Sequence, residues 1–287
     1  MIGSVAATIP GGHWVNGACC REAQVRPLTG ADQAFLLEQG GSLLPAQWIT
    51  EVLARCVTRL GSGEPVTRDA VRALTVGDRE ALLLHLRRLT AGDRMQCVLT
   101  CPECGEKLDL EVKATDLLVP ARSEPQERYE TWVRDGDAAC RIVFRLPTGA
   151  DQEAAAALAR TDVDAAADLL LHRCVESAVD ADGAPVHELP AALREQLPAR
   201  MAELDAQAEL TLRLTCPACD GSFTSLFDAA SFLFQEIQAD LRHLDHEVHL
   251  LAYHYHWSPS DILGLSTRQR RRYLELLDEE LSRGAGR

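Results

Sequence analysis

The 287-residue sequence predicts a mainly α fold with a small β element (α+β), built as two homologous helical units that each end in a Cys-x-x-Cys hairpin. Three observations predict it. Ala and Leu abound while aromatic residues make up 5 %, a composition that leans towards helix. A set of landmarks occurs twice in the same order. Each set closes on a period-two apolar pattern wrapped around a cysteine pair.

The landmarks are plain in the text of the chain. VRPLTGADQ and FRLPTGADQ share Thr-Gly-Ala-Asp-Gln at Thr29–Gln33 and Thr148–Gln152. Arg-Cys-Val follows at Arg55–Val57 and Arg173–Val175, then LTCPEC at 99–104 and LTCPAC at 214–219. Thr29 lies 72 positions before Cys101, and Thr148 lies 68 before Cys216. Residues 26–118 and 141–235 are therefore two copies of one unit, an internal repeat. A flexible leader (1–25) precedes them, a polar linker with two prolines (119–140) joins them, and a helical module (236–287) follows.

Within each copy the elements have local causes. Thr29 with Asp32, and Thr148 with Asp151, have the threonine-x-x-acid form that caps a helix: the hydroxyl accepts an orphan amide and the acid favours the positive end of the dipole. The segments 45–60 and 162–178 carry apolar residues at helical spacing, with Ile49, Val52, Leu53 and Cys56 on one face. Thr75 and Asp78 cap a further helix to about Leu89, and Pro190 and Pro198 shorten the helices of the matching stretch. Met95, Cys97 and Leu99 then alternate, as do Leu210, Leu212 and Leu214, with Leu108, Leu110 and Val112, or Phe223 and Phe227, beyond the cysteines. In the C-terminal module, Ser258-Pro259 with Asp261 starts a short helix that Gly264 ends, and Ser266 with Gln269 caps the next, to about Leu281.

Cys101, Cys104, Cys216 and Cys219 are the candidate metal ligands. Zinc prefers a tetrahedral thiolate set, and a Cys-x-x-Cys turn lets one hairpin present two sulfurs. A ribbon normally separates its pairs by about 15–20 residues; here 111 intervene, as expected if each copy supplies one knuckle across a pseudo-twofold axis. The prediction is one structural zinc per chain in a zinc-ribbon-like site. A redox pair would follow a strand and open a helix, whereas these pairs lie between strands. Cys56, Cys97, Cys140 and Cys174 are core thiols, and Cys19 and Cys20 have no assigned role.

Other chemistry is sparse. In the histidine-rich stretch 243–257, His246 and His249 miss the i, i+4 spacing of a zinc-protease signature by one. RQRRR at 268–272 is followed by acids, as on a solvated helix face. The net charge of −14 disfavours nucleic acid, which leaves a zinc-ribbon nucleic-acid-binding regulator as the alternative reading. No phosphate-binding glycine loop, nucleophile elbow or carboxylate pair is present, so neither an enzyme nor a small-molecule substrate is expected. With neither a leader of secretory form nor a run of membrane length, a cytoplasmic protein is expected.

The order of LTGAD, a helical stretch, LLLHLRRLTAGD and CPECG resembles the base-plate proteins of contractile-tailed bacteriophages and of phage-like contractile injection systems, over roughly residues 26–235. The segment LLAYHYHWSPSDILGLSTRQRRRYLELL resembles a helical module of phage tail gene products. The resemblance implies a structural or assembly role within a particle, with other base-plate or tail proteins as partners. Tyr253, Tyr255, Trp257 and Ile262 are the candidate partner-binding residues.

Overall fold

The computed structural model describes residues 3–40, 42–61, 65–136, 138–186 and 190–285. A hairpin of β1 (Val5–Val15) and β2 (Ala18–Val25) leads into α1 (Gly30–Gly40), α2 (Pro45–Cys56), β3 (Val57–Leu60), α3 (Arg68–Ala73) and α4 (Val76–Ala91). The first cysteine hairpin, β4 (Arg94–Thr100) and β5 (Lys107–Lys113), follows. A second hairpin, β6 (Tyr129–Asp135) and β7 (Ala138–Phe144), leads into α5 (Gly149–Ala156), α6 (Val163–Cys174), β8 (Val175–Asp180) and α7 (Leu193–Leu204). After the second cysteine hairpin, β9 (Leu210–Thr215) and β10 (Ser222–Phe227), come α8 (Ala229–Tyr255), α9 (Pro259–Leu263) and α10 (Thr267–Ala285).

The expected mainly α fold is corrected. The chain is about 49 % helix and 27 % strand, with four small antiparallel sheets, and so mixes α and β. Two of these sheets, β1-β2-β3 and β6-β7-β8, have three strands each. The cysteine hairpins form two further sheets that do not hydrogen-bond to one another, so no continuous zinc ribbon is formed. The missed strands have physical reasons. Pro10-Gly11-Gly12 looks like a breaker, yet it occupies a register shift between Thr8 and His13 where β1 bulges past β2. At Gly12 φ is +91°, and a Cβ would strike the Cys19 sulfur. Residues expected as a flexible leader are thus mostly sheet, and β6 occupies part of the expected linker, with Tyr129 and Val133 buried. β3 is too short for periodicity to register, and the helices before β3 and β8 stop at Cys56 and Cys174.

The Thr-Gly-Ala-Asp-Gln corners organise both halves. Asp32 accepts from the Thr29 amide at 2.9 Å and hydroxyl at 2.7 Å, while its own amide donates to Thr29 Oγ1 at 3.1 Å. Arg26 Nη1 and Nη2 add hydrogen bonds to Asp32 at 2.5 and 3.1 Å. Arg145 makes the same fork on Asp151, at 2.6 and 3.0 Å. The Arg-Cys-Val landmark then becomes intelligible. Arg55 and Arg173 reach the same carboxylates at 3.7 and 2.7 Å. The Cys56 and Cys174 carbonyls accept from the Arg26 and Arg145 amides at 2.9 and 3.0 Å, and both thiols are fully buried. The following valine begins the third strand of the sheet.

A second joint also occurs twice. Thr75, the N-cap of α4, bridges Thr148, and the Gly149 amide donates to the Leu74 carbonyl at 3.1 Å. Ser266, which caps α10 together with Gln269, bridges Thr29, and the Gly30 amide donates to Leu265 at 3.1 Å. One turn into each helix a buried arginine, Arg79 or Arg270, lies against the glycine of the opposing corner. Val71 and Ile262, both fully buried, occupy matching places in α3 and α9. The pair α3–α4 therefore docks on α5 as α9–α10 docks on α1. Pro198, expected to break a helix, instead sits inside α7, whose Leu193, Leu197 and Met201 pack on the second three-stranded sheet. α8 runs unbroken through the expected boundary at 235/236, and its Leu233, Ile237 and Leu244 join the core of the first half.

Candidate metal centre

The cysteine hairpins are aimed at one another from their bases. β4 pairs with β5 and β9 with β10 without a register shift, so each has one mainly apolar face, interrupted in the second by Ser225 opposite Leu212. Met95, Cys97, Leu210 and Phe227 pack with Leu84 of α4, Ala114 and Leu117 into a common layer. Farther out, Leu108 packs with Cys101 and Cys216, with Leu110 and Phe223 at the edge. The tips beyond that point are the two Cys-x-x-Cys turns.

Both turns have the same build. The Cys101 amide donates to Glu106 O at 2.8 Å and the Gly105 amide returns to Cys101 O at 3.0 Å. Cys216 donates to Gly221 O at 2.9 Å, and the Asp220 amide returns to Cys216 O at 2.9 Å. The fifth residue of each turn is left-handed, Gly105 at φ +76° and Asp220 at φ +56°, conformations that Gly and Asp tolerate.

These turns bring the four sulfurs within 4.8 Å of one another. Across the hairpins, Cys101 lies 3.8 Å from Cys219 and Cys104 lies 3.6 Å from Cys216. Sulfurs about 2.3 Å from a tetrahedral ion would be about 3.8 Å apart, so the set fits a single thiophilic ion. Neither pair is oxidised, and Cys101 and Cys216 are buried while Cys104 and Cys219 face solvent. The Cys104 and Glu103 amides draw the Cys101 thiol down to about 7, favouring the thiolate that ligation requires. At Cys219 the Gly221 amide acts in the same sense, but the surrounding sulfurs outweigh it and push that thiol up to about 12. Four thiolates would hold the ion through Cys101, Cys104, Cys216 and Cys219 and leave no position for substrate, so its contribution would be structural.

A family model described as T4 bacteriophage base plate protein matches residues 14–234. The chain belongs to that family. The matched region of this base-plate chain contains both corners and both cysteine pairs, and ends in the first turns of α8. No curated protein and no solved structure is significantly similar to it. The family is a structural one. Among the described residues, no helix is long and apolar enough to cross a membrane.

The remaining sequence candidates scatter. Tyr253 is 69 % exposed. Tyr255 stacks on Trp257 at 4.9 Å and donates to the Tyr273 carbonyl at 3.2 Å, so these aromatics clamp α8 against α10. Ile262 is fully buried and faces the chain's own core. Among the described residues, the cysteine set is the sole cluster of metal-ligating geometry, and the histidine stretch forms none. The RQRRR run is not a uniform basic face. Arg270 is buried on Glu247 and Gln33 at 2.8 and 2.7 Å, Arg271 pairs with Asp240, and Arg272 pairs with Glu275. Sequence reasoning missed Arg26 and Arg145, although both stand in the same place ahead of each corner.

Proposed function

We propose that this chain is a zinc-stabilised structural or assembly protein of a phage-like contractile tail or injection-system base plate, with no catalytic role. The single observation that carries the metal half of this reading is the cross-hairpin sulfur spacing of 3.6 and 3.8 Å, drawn from pairs more than a hundred residues apart. Membership of the base-plate family supports the other half. In this reading the two halves are copies of one unit, and zinc joins one knuckle from each. Neighbouring base-plate or tail proteins are the partners, and the exposed Tyr253 with the Trp257 edge contributes to their binding.

The test uses particles assembled with the wild-type chain or with Cys216→Ser, analysed by quantitative mass spectrometry and elemental analysis. About one zinc per wild-type chain, and loss of both zinc and normally assembled particles in the variant, is the expected result. Wild-type protein without zinc would remove the metal half. Full particle yield in a strain lacking the chain would remove the base-plate half.

A further inference from the structure

A cleft of roughly 580 Å³ opens where α2, α4, α5, the end of β10 and the start of α8 meet. That volume lies in the range of ligand-binding cavities. Its walls are largely apolar, with Trp48, Val76, Ala156 and Phe234 among them, and Trp48 and Phe234 lock edge to face at 5.1 Å. At its lip, Leu226 is 62 % exposed, which carries the apolar surface outward.

Three polar features are out of keeping with such walls. Trp48 is 4 % exposed, and its indole Nε1 is buried without an acceptor. Glu80 lines the cleft and has neither a hydrogen-bond partner nor an ion pair among the described residues. Asp228 stands near it with its oxygens already engaged in capping α8, accepting from the Ser231 amide and hydroxyl at 2.8 and 2.6 Å. Burial and the Asp228 charge push the Glu80 carboxyl up to about 7, against the milder pull of Arg79. Of the cleft's lining residues only Arg160, exposed on the rim, is cationic. The site thus offers an apolar wall and one carboxylate in want of a cation.

We propose that the cleft is a docking site for a basic segment of a partner protein, whose arginine or lysine side chain enters to meet Glu80. Identifying that partner with a base-plate protein rests on the reading above. A basic side chain suits the site because its methylene stem can lie along apolar walls while its head carries the charge. Flanking apolar residues of the segment would continue over Leu226. The protein's net charge of −14 favours encounter with basic partners in general.

The test is an array of random hexapeptides probed with the full chain as purified, followed by solution titration of the best binder. Enrichment of Arg or Lys beside Leu, Ile or Phe is expected. Binding should weaken at least tenfold for Glu80→Gln, and equally when norleucine replaces the basic residue of the peptide. Ala156→Trp, which fills the cleft, should abolish binding. Glu80→Gln resembles the protonated acid in shape, so an unchanged melting temperature guards against misfolding. Selection of acidic or uncharged peptides, or equal binding by Glu80→Gln, would overturn the proposal. So would a concentration-dependent dimer that Ala156→Trp abolishes, since a second copy would then occupy the cleft. Failure of the particle experiment leaves these readouts intact, which separates the two ideas.

Discussion

Removing the metal should loosen the hairpin tips and leave the rest of the chain folded. At the tips the apolar support is small: Leu108 is buried and Phe223 partly so, beside Cys101 and Cys216. Two side chains of that kind contribute about 3–5 kcal/mol together. A structural zinc contributes about 10–16 kcal/mol in small domains, several times more. Nearer the hairpin bases the balance reverses, because Leu84, Met95, Ala114, Leu117, Leu210 and Phe227 form a layer that owes nothing to the ion. Hydrogen exchange with and without a chelator reads the difference amide by amide. If the site holds its ion at about a thousand times its dissociation constant, the lost protection is about 4 kcal/mol, or roughly a thousandfold in rate. The amides of Cys101, Gly105, Cys216 and Asp220 should show it, since they close the two turns. Those of Met95 and Leu210 should change by less than about tenfold, as expected where packing rather than the ion sets local stability. Unchanged exchange at the tips, or uniform loss over the whole chain, would refute the reasoning.

Alkylation of the native protein should leave Cys56, Cys97, Cys140 and Cys174 unmodified, because they are buried and burial pushes each of these thiols up. Cys104 and Cys219, which are exposed, should be alkylated only after chelation, as mass spectrometry would show; modification beforehand would mean no metal is bound. Asp151→Asn should cost roughly 3–5 kcal/mol, since the side chain is fully buried and leaves Arg145 and Arg173 without their carboxylate. Burial alone would raise the Asp151 carboxyl, but Arg145, Thr148 and Arg173 hold it well below the usual range. Its contribution is therefore present above about pH 4 and lost as pH falls through the native value, so the wild-type advantage in urea should shrink below pH 4. Arg270→Met should destabilise by about 3 kcal/mol through the unpaired Glu247 and Gln33, and proteolysis should then attack the end of α8 and α9–α10 before the matched region.

The cysteine cluster and the corners were legible because their signals are local. A Cys-x-x-Cys turn and a Thr-x-x-Asp cap each place their chemistry within four residues, and a repeat shows which distant copies correspond. The two three-stranded sheets were not legible for the opposite reason. β3 and β8 exist because a hairpin nearby offers them an edge, and no pattern of four to six residues reports that. The leader misled because glycines that serve a bulge look like those that serve a flexible tail. Ile262 misled because a helix face meant for the chain's own other end has the composition of one meant for a partner, and Arg270 because a buried arginine stood in a run that reads as a solvated face. Their match with Val71 and Arg79 appears only when α9–α10 is aligned with α3–α4.

The double joint has a topological consequence. The helical pair α3–α4 meets the corner at Thr148 and Gly149, and the C-terminal pair α9–α10 returns to the corner at Thr29 and Gly30. A head-to-tail contact repeated on one rotation either closes into a ring or grows without end. Here it closes after two steps inside a single polypeptide, with both corners occupied. This joint thus has no free end on which further copies can be threaded, so growth of a larger assembly must proceed through other faces of the molecule.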